Sequence, residues 1–432
     1  MKKKIVVLGG GVSGYGSAIL AKKEGFDVLL SDRGALDPRY ISLLDEWGVE
    51  YEQGEHSVER ILEADEVIKS PGIPDKAPLV VALRERGIPI ISEIEFAGRY
   101  LRGARTICIT GSNGKTTTTS LIYKILCDAG YSVALGGNIG ESFAYSVATR
   151  DVDWYVLELS SFQLDGMYEF RADVAVLLNI TPDHLDRYDY KFENYIASKM
   201  RIEQNQCEGD HFIYFAEDSN ITPTGRAQRH TFSNAEIDPQ GVVLVEGTAL
   251  YTRQLQIPGL HNSLNAQAAL LAAQAAGVAG ESIVKSIYEF SPVEHRLEPA
   301  GEIDGIEYIN DSKATNVDST WYALESMTTP TIWIAGGTDK GNDYTPLLEL
   351  ARNKVKALIC MGLDNAALIA AFEGVVPTVI STSSLEEAMT VARSIAELGD
   401  RVLLSPACAS FDLFKNYEDR GHQFKGWVAQ KG

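Results

Sequence analysis

A glycine-rich turn that ends in Lys115 is the stretch of this sequence best suited to binding phosphate. The apolar run Ile107–Ile109 precedes it, and a segment of helical composition follows from Thr116. Backbone N–H groups in such a turn, with the positive end of a helix dipole, favour an anion at one point. Lys115 would neutralise the outer phosphates, and the Thr116 hydroxyl suits Mg²⁺. The predicted phosphate-binding residues are Gly111, Ser112, Asn113, Gly114, Lys115, Thr116 and Thr117.

This loop misses the strict pattern G-x-x-x-x-G-K-[ST], because the first position of the pattern falls on Ile109. The alternative interpretation is a glycine turn followed by a solvated lysine. A strand before the turn and a helix after it favour phosphate binding over that alternative.

Two later strand ends carry side chains that a bound triphosphate would need. Trp154–Glu158 is an apolar strand that ends in a carboxylate, and Asp173–Leu178 runs into a segment that contains His184. Mg²⁺ prefers oxygen ligands, so Glu158 beside Thr116 is a suitable ligand, while His184 would bind a second metal ion or a phosphate oxygen. Taken singly, the carboxylate can cap a turn and the histidine can be structural. Their place at strand ends of the same predicted sheet favours the functional interpretation.

The N-terminal segment, about 90 residues long, alternates strand-like and helix-like stretches as a parallel α/β sheet does. Ile5–Leu8 leads into Gly9–Gly14, which matches G-x-G-x-x-G, and Asp32 ends the next strand. An acidic residue at that place holds ribose hydroxyls in dinucleotide sites. These residues leave three interpretations open: NAD, another nucleotide, or glycines that only allow close packing.

A third alternating region near the C-terminus has three strands that each end in polar residues. They are Ile306–Thr315, Thr331–Lys340 and Val402–Ser410. Because the strand ends converge on one edge of a sheet, they predict a second ligand site. Its lysines and hydroxyls suit a small carboxylate substrate, and the alternative is three ordinary surface loops.

Composition excludes several classes of partner for this chain of 432 residues. A formal net charge of −20 argues against nucleic acid or an acidic membrane as the main partner, since both demand a basic face. Five dispersed cysteines without metal-type spacing indicate reduced thiols and a cytoplasmic protein. We identify no signal peptide and no stretch long enough for membrane insertion.

These patterns predict an α/β protein of three domains. Residues 1–92 form a Rossmann-like N-terminal domain, 93–292 a central parallel sheet of the P-loop ATPase type, and 293–432 a C-terminal Rossmann-like domain. The second boundary is placed around Ser291–Arg296.

Seven motifs, in order and spread over nearly the whole chain, resemble those of the Mur ligases. One such motif would be weak evidence, but seven in order are highly specific. The motifs are Ile109-Thr-Gly-Ser-Asn-Gly-Lys-Thr-Thr117, Leu157-Glu-Leu-Ser-Ser-Phe-Gln163, Asn179-x-Thr-Pro-Asp-His-Leu-Asp186, His261-Asn-x-x-Asn265, Glu294-His-Arg296, Asn310-Asp-Ser-Lys-Ala-Thr-Asn316 and Leu404-Ser-Pro-Ala-Cys-Ala-Ser-Phe-Asp412.

The resemblance implies an ATP-dependent amide ligase of peptidoglycan precursor synthesis, with Mg²⁺ as metal. Its expected substrates are UDP-N-acetylmuramoyl-L-alanine and D-glutamate, joined through an acyl phosphate, and its expected state is a monomer. Two alternatives stay open. One is a sister ligase of the Mur or folylpolyglutamate type that adds a different amino acid, and the other is an NAD-binding oxidoreductase or an inactive nucleotide-binding module.

The resemblance also assigns expected roles around ATP. The catalytic residues would be Lys115, Glu158, His184 and Lys199, and the metal ligands Thr116, Glu158, His184 and Lys199. Lys199 would serve as a carbamate formed with CO₂, although composition alone predicts a solvated helix lysine. The adenosine part would contact Asn262, Asn265, Arg296 and Asp311. Without the resemblance, Asn262 is explained as a helix N-cap, whereas Asn265 has no such explanation.

The remaining expected contacts are to the two substrates that are joined. The UDP-sugar would contact Ser13, Asp32, Arg33, Gly72 and Asn138, so that the first domain takes uridine diphosphate rather than NAD. D-Glutamate would contact Lys313, Thr315, Lys340, Ser410 and Tyr417.

Overall fold

The computed structural model describes residues 2–235, 237–257, 259–291, 294–339 and 341–432. In these residues, strands that alternate with helices form three sheets of five or six strands, and a separate hairpin completes the β-structure. The predicted α/β class with three parallel-sheet domains is confirmed. The exact domain limits stay predictions, and the predicted boundary at Pro292 and Val293 falls on residues outside those described.

The first sheet consists of five parallel strands in the order β3-β2-β1-β4-β5. Its central strand reads as an unbroken apolar run because helices cover both faces, and Val6 and Val7 are fully buried. The strands are β1 (Lys4–Leu8), β2 (Asp27–Asp32), β3 (Glu50–Gln53), β4 (Glu66–Lys69) and β5 (Ile90–Ile91). The helices are α1 (Val12–Lys23), α2 (Pro38–Glu46), α3 (Val58–Ile61), α4 (Pro78–Glu85) and α5 (Glu93–Gly98).

The second sheet has six parallel strands in the order β11-β10-β9-β6-β8-β7. Strand β6, which leads into the phosphate loop, therefore lies between β8 and β9. The strands are β6 (Arg105–Thr110), β7 (Val133–Gly137), β8 (Trp154–Glu158), β9 (Val174–Leu177), β10 (His211–Phe215) and β11 (Gln228–Phe232). An antiparallel hairpin follows, formed by β12 (Val242–Val245) and β13 (Thr248–Tyr251).

The helices of this region are, in chain order, α6 (Lys115–Asp128), α7 (Phe143–Thr149), α8 (Ser161–Leu164), α9 (Phe192–Met200), α10 (Leu260–Ala275) and α11 (Gly280–Tyr288). Four consecutive threonines, which are poor helix formers, follow Lys115 at the start of helix α6. All four are buried, so tertiary packing rather than local propensity holds this first turn against the sheet.

The third sheet has the order β14-β15-β19-β16-β17-β18, with only the β14–β15 pair antiparallel. Its strands are β14 (Glu298–Ile303), β15 (Ile306–Asn310), β16 (Thr331–Ala335), β17 (Val355–Met361), β18 (Val379–Thr382) and β19 (Arg401–Leu404). Its helices are α12 (Val317–Glu325), α13 (Leu348–Lys354), α14 (Ala366–Phe372), α15 (Leu385–Ile395) and α16 (Tyr417–Lys431). Short 3-10 helices occur at Leu185–Arg187, Arg201–Glu203, Thr252–Gln254 and Thr345–Leu347.

The chain forms two compact units. The first runs to Thr252 and includes Leu264–Tyr288, and the second comprises Arg253–Ser263 and Glu289–Gly432. The first unit contains the first two sheets, and the second unit contains the third sheet. Within the part of the chain that the structure describes, no helix is both long and apolar enough to cross a membrane.

Candidate active site

The turn between β6 and α6 has a backbone that only glycine can supply at two positions. Gly111 has φ 152° and Gly114 has φ 83°. A Cβ atom on Gly114 would lie 2.4 Å from Oδ1 of Asn265, and one on Gly111 would lie 3.0 Å from Cβ of Leu178. Positive φ and close neighbours together explain why this loop keeps both glycines.

Residues that follow strand β9 hold the loop in shape. The Asn179 carbonyl accepts a hydrogen bond from Ser112 N at 2.9 Å, and its side-chain Oδ1 accepts one from Asn113 N at 2.8 Å. The Ser112 hydroxyl donates to the Thr181 carbonyl at 2.9 Å. The loop is thus ordered by the protein itself, so a phosphate would meet donors that are already positioned.

Thr116, Glu158 and Asn138 form one hydrogen-bonded group beside the loop. The Thr116 hydroxyl donates to Glu158 Oε2 at 2.7 Å, and Asn138 Nδ2 donates to Glu158 Oε1 at 2.8 Å. Glu158 is buried at the end of β8, so its two oxygens are fixed by neighbours on both sides. The predicted pair Thr116 and Glu158 therefore meets in the structure, with Asn138 as a third member.

Two lysines converge on one carbonyl oxygen of the loop. Lys115 Nζ donates to the Gly111 and Ser112 carbonyls at 2.8 and 2.7 Å. Lys199 Nζ donates to the same Gly111 carbonyl at 2.9 Å and to Thr110 Oγ1 at 3.0 Å. Burial, and then the neighbouring charge of Lys115, place the pKa of Lys199 well below its usual value. This arrangement favours an uncharged amine at Lys199.

The expectation of a solvated lysine, drawn from composition alone, is wrong for Lys199, which is only 2% exposed. Helix α9 packs against α8, and Lys199 reaches Thr110 at the end of β6, a tertiary contact without a local sequence signal. Tyr195, one turn earlier, was not predicted as a site residue. Its ring lies 5.3 Å from Lys199 Nζ and its hydroxyl 3.2 Å from Ser112 Oγ, so it contacts both the amine and the loop.

His184 lies in the segment after β9 and precedes the short helix Leu185–Arg187, with φ 53°. Its ring packs against Phe162, with centroids 5.2 Å apart, and its Nε2 lies 3.6 Å from a carboxylate oxygen of Asp183. The Asp183 charge also acts on Lys199, where it opposes the lowering of the pKa. The segment after β9 therefore contributes a negative charge to the electrostatic surroundings of Lys199.

A cavity of about 660 Å³ opens at the carboxyl edge of the first sheet. Three of the predicted UDP-sugar residues, Asp32, Arg33 and Gly72, line it together with His56, which was not predicted. The Asp32 carboxylate accepts hydrogen bonds from Gly10 N and Gly34 N, both at 2.6 Å, so it braces the glycine loop.

Two other residues expected at the UDP-sugar lie apart from this cavity lining. Asn138 donates a hydrogen bond to Glu158 in the second sheet. Ser13 acts on Glu93, a buried carboxylate: burial raises the pKa of Glu93, and the Ser13 hydroxyl opposes the rise. Ser142 and the backbone of Ala144 also donate to Glu93.

In the second unit, Asp311 follows strand β15 and is buried. Its carboxylate accepts hydrogen bonds from the Ser405 hydroxyl at 2.8 Å and from Leu297 N at 3.2 Å. Burial raises the pKa of Asp311 to about 7, although the Arg296 charge and these hydrogen bonds oppose the rise. Of the predicted adenosine residues, Asn262, Arg296 and Asp311 belong to this unit and Asn265 to the first.

The residues predicted for D-glutamate follow strands of the third sheet or begin helix α16. Lys313 Nζ lies 5.4 Å from the centre of the Tyr417 ring, a cation–π contact. Thr315 N donates to the Lys313 carbonyl at 3.0 Å, and Ser410 is buried after β19. Lys340 lies outside the described residues.

Arg420, which the sequence did not single out, ties these strand ends together. It is fully buried in α16, and its guanidinium donates to Ser312 Oγ at 3.0 Å and to the Ser312 carbonyl at 2.9 Å. Longer bonds of 3.4 Å reach the carbonyls of Gly336 and Cys408. Burial lowers the pKa of Arg420 to about 10, so it remains charged at neutral pH. No local signal marks it, because its partners lie far away in the chain.

Family models match three consecutive parts of the chain. A model described as "Mur ligase MurD-like, N-terminal domain" matches residues 3–92, "Mur ligase middle domain" matches 109–273, and "Mur ligase, glutamate ligase domain" matches 295–408. Together these matches cover more than half of the sequence.

Curated relatives are similar over the full length. The UDP-N-acetylmuramoylalanine–D-glutamate ligase of Bacteroides fragilis is 53% identical, covering 99% of this chain and 100% of the relative. Those of Christiangramia forsetii and Cytophaga hutchinsonii are 52% and 49% identical, covering 98% and 100% of this chain and 99% of each relative.

Solved structures share the fold at lower identity. The UDP-N-acetylmuramate-alanine ligase MurC of Thermotoga maritima has a TM-score of 0.64 at 20% identity and covers all of both chains. The MurF ligase of the same organism, in complex with ADP, has a TM-score of 0.64 at 15% identity over 94% of this chain and 96% of its own.

Proposed function

This chain belongs to the Mur ligase family, and we propose that it joins D-glutamate to UDP-N-acetylmuramoyl-L-alanine at the expense of ATP. Relatives about half identical over their whole length carry that activity in their names. The reaction is a step of peptidoglycan precursor synthesis. This family assignment takes the place of the NAD-binding interpretation of Gly9–Gly14.

The reaction requires two anions to meet. The carboxylate of the UDP-sugar substrate attacks the γ-phosphorus of ATP, which forms an acyl phosphate and ADP. The amine of D-glutamate then attacks the acyl carbon, and the tetrahedral intermediate expels phosphate. Catalysis of this kind depends on positioning and on neutralising charge, because little other covalent chemistry is left for the protein.

The convergence of Lys115 and Lys199 on the phosphate loop is the observation that carries the proposal. Both amines lie within 3.0 Å of loop oxygens, next to the N-terminus of α6. In our proposal the loop N–H groups and Lys115 hold the outer phosphates and orient the γ-phosphorus toward the substrate carboxylate. A site that holds both groups also keeps water from taking the place of the carboxylate.

The oxygens of Thr116 and Glu158 would hold Mg²⁺. Both are hard donors, and their separation of 2.7 Å supports a shared cation, since Mg²⁺ takes oxygen ligands at short distances. When bound, Mg²⁺ neutralises part of the phosphate charge. In the proposal, Asn138 keeps the second oxygen of Glu158 in place, and His184 contributes to a second metal site.

We further propose that Lys199 reacts with CO₂ to form a carbamate. Only an uncharged amine can do this, and the burial of Lys199 beside Lys115 supports that state. The modification would turn this uncharged amine into an anionic oxygen ligand, which in our proposal serves the same metal ion as His184.

The substrates are assigned to the two units by the residues named above. We propose that the uridine diphosphate part occupies the cavity lined by Asp32, Arg33 and Gly72. Lys313, Thr315, Lys340, Ser410 and Tyr417 would bind D-glutamate, and Asn262, Asn265, Arg296 and Asp311 the adenosine part. A monomer in the cytoplasm, without nucleic-acid or membrane partners, remains our expectation.

Phosphate release, followed with UDP-N-acetylmuramoyl-L-alanine, ATP and a panel of amino acids, tests the proposal. We expect turnover with D-glutamate alone. Turnover with glycine, L-alanine or diaminopimelate but not D-glutamate would contradict it and indicate a sister ligase.

A further inference from the structure

His56 is a titratable residue of the cavity wall that has no role in the proposed function. It follows β3 and lines the cavity with Asp32 and Arg33. A chain of hydrogen bonds fixes its imidazole ring in place. Its Nδ1 lies 2.7 Å from the Ser31 hydroxyl, and that hydroxyl lies 2.5 Å from Glu52 Oε1. Ser31 itself is fully buried.

The chain of hydrogen bonds determines which nitrogen of His56 carries the proton. Burial alone would raise the pKa of Glu52, but hydrogen bonds from Ser31 and Ser57 keep it below its ordinary value. The carboxylate is therefore ionised and can only accept. Ser31 has a single hydroxyl proton, which goes to Glu52, so its oxygen must accept from Nδ1–H of His56.

This leaves Nε2 of His56 as a hydrogen-bond acceptor. Burial lowers the pKa of His56, and Arg33 adds to this effect while Glu52 and Asp32 oppose it, so the ring is neutral at pH 7. Among the residues that the structure describes, none donates to this nitrogen. The cavity thus contains one neutral acceptor of fixed tautomer on a wall that also carries charged groups.

We propose that His56 determines base specificity in this cavity by accepting a hydrogen bond from N3–H of uracil. The inference rests on the proposed function, which brings a uridine diphosphate here, and goes beyond it by naming the group that reads the base. Uracil presents a donor at N3, whereas cytosine presents an acceptor. Two acceptors cannot pair, and a buried unpaired acceptor is costly, so the cavity selects uracil against cytosine.

A purely structural role for the chain of hydrogen bonds is the competing explanation. In that explanation Glu52 and Ser57 stabilise the β2–β3 edge, and His56 only fills space beside them. The two explanations differ in one respect, because only base recognition makes the ratio of affinities for different bases depend on His56.

Calorimetric titration of the full chain with UDP, CDP and N3-methyl-UDP tests the proposal. N3-methyl-UDP keeps the uracil ring and both carbonyls but has no donor at N3. We expect the unmodified protein to bind UDP about 10- to 100-fold more tightly than either analogue, the effect of one lost hydrogen bond that leaves an acceptor unpaired. His56→Leu should bind all three alike. His422→Leu, a surface change in the second unit, is the matched control and should keep the ratio.

Equal binding of the three nucleotides by the unmodified protein, or an unchanged ratio in His56→Leu, would overturn the proposal. Should His56→Leu not fold, ¹⁵N spectra of the imidazoles in the unmodified protein still decide the tautomer. They should show a protonated Nδ1 and an unprotonated Nε2 for His56, and the opposite pattern would contradict the inference. A protein that discriminates the nucleotides but releases no phosphate with D-glutamate would contradict the proposed reaction and leave base recognition intact.

Discussion

Lys199 shows how much a residue's chemistry depends on what surrounds it. Its amine shares the Gly111 carbonyl with Lys115 and is buried, so two cations would have to occupy one small volume. The cheaper state is an uncharged Lys199, because a buried ammonium loses its hydration and gains a repulsive neighbour. That state is also the one that reacts with CO₂.

Replacing Lys199 with Ala should abolish phosphate release, because it removes the proposed carbamate oxygens. Acetate or formate, added at high concentration, should restore part of the activity by occupying the space left by the side chain. Phosphate-release assays over a range of acetate concentrations measure the effect. Lys191→Ala, an exposed lysine just before the same helix, is the control and should stay active. Full activity of Lys199→Ala without acetate would refute the metal role.

Asp311 should make the stability of the second unit depend on pH. Its folded-state pKa of about 7 lies above the ordinary value of 3.8. The contribution to stability is thus fully present below pH 3.8 and is lost as pH rises through 7. Relative to Asp311→Asn, the unmodified protein should lose up to about 3 kcal/mol of unfolding free energy between pH 4.5 and 7. Urea unfolding at several pH values measures this. The control Asp364→Asn, at an exposed position, should show the same dependence of unfolding free energy on pH as the unmodified protein. If Asp311→Asn shows that same dependence too, the raised pKa of Asp311 is contradicted.

At the scale of elements, helix α16 acts as a brace for the third sheet. Arg420 bonds to carbonyls that follow β15, β16 and β19, which are the strand ends predicted to bind D-glutamate. Arg420→Met would leave these buried carbonyls without donors, at about 1–3 kcal/mol for each group. We expect a loss of at least about 3 kcal/mol in urea unfolding. Arg401→Met, which removes a partly exposed ion pair, should cost less than about 1 kcal/mol. Equal losses would contradict the bracing role.

The milder substitution Arg420→Lys separates the effect of this brace on D-glutamate binding from its effect on folding. A lysine keeps the charge but cannot reach three carbonyls with one planar fork. The KM for D-glutamate should rise about tenfold, because the loops lose their common support. The affinity for UDP should not change, because its cavity lies in the other unit.

Helices α1 and α7 approach so closely that one glycine decides their spacing. A Cβ on Gly16 would lie 1.8 Å from the Ser142 hydroxyl oxygen and 2.9 Å from Tyr145 N. Gly16→Ala should therefore lower the unfolding free energy by about 1–3 kcal/mol or more, since backbone atoms must move. Gly11→Ala is the control, because a Cβ there meets no heavy atom within 4 Å. Thermal unfolding compares them, and equal midpoints for the two variants would contradict the packing argument.

The helices, the strands and the phosphate loop can be predicted from the sequence, because they depend on local patterns. Apolar runs that end in glycine or in charged residues predict the strand ends that carry Glu158 and Asp311 and the strand that leads into the phosphate loop before Thr116. The sequence does not reveal Arg420, Tyr195 or His56, whose roles depend on partners brought close by the fold. The error for Lys199 has the same origin, since composition describes the average lysine and the packing of α9 determines this one.

At the scale of the whole molecule, an acidic chain must bind anionic substrates. The net charge of −20 is spread over the surface, and charges farther away than about 8 Å are largely screened at physiological salt. The cations closest to each site therefore determine anion binding: Lys115 at the phosphate loop, Lys313 after β15 and Arg33 at the cavity. Repulsion from the rest of the chain matters only at low ionic strength.

The division into two compact units predicts which strands a bound nucleotide stabilises. The cavity is lined only by residues of the first unit, and each unit has a hydrophobic core of its own. UDP at 100 times its dissociation constant stabilises the state that binds it by about 2.7 kcal/mol. Hydrogen exchange should therefore slow up to about 100-fold in β1 and β4 and remain unchanged in β16 and β19. His56→Leu should reduce the slowing at the same UDP concentration. Equal slowing of hydrogen exchange in both units would mean that they unfold together. UDP binding in the cavity would then stabilise the whole chain.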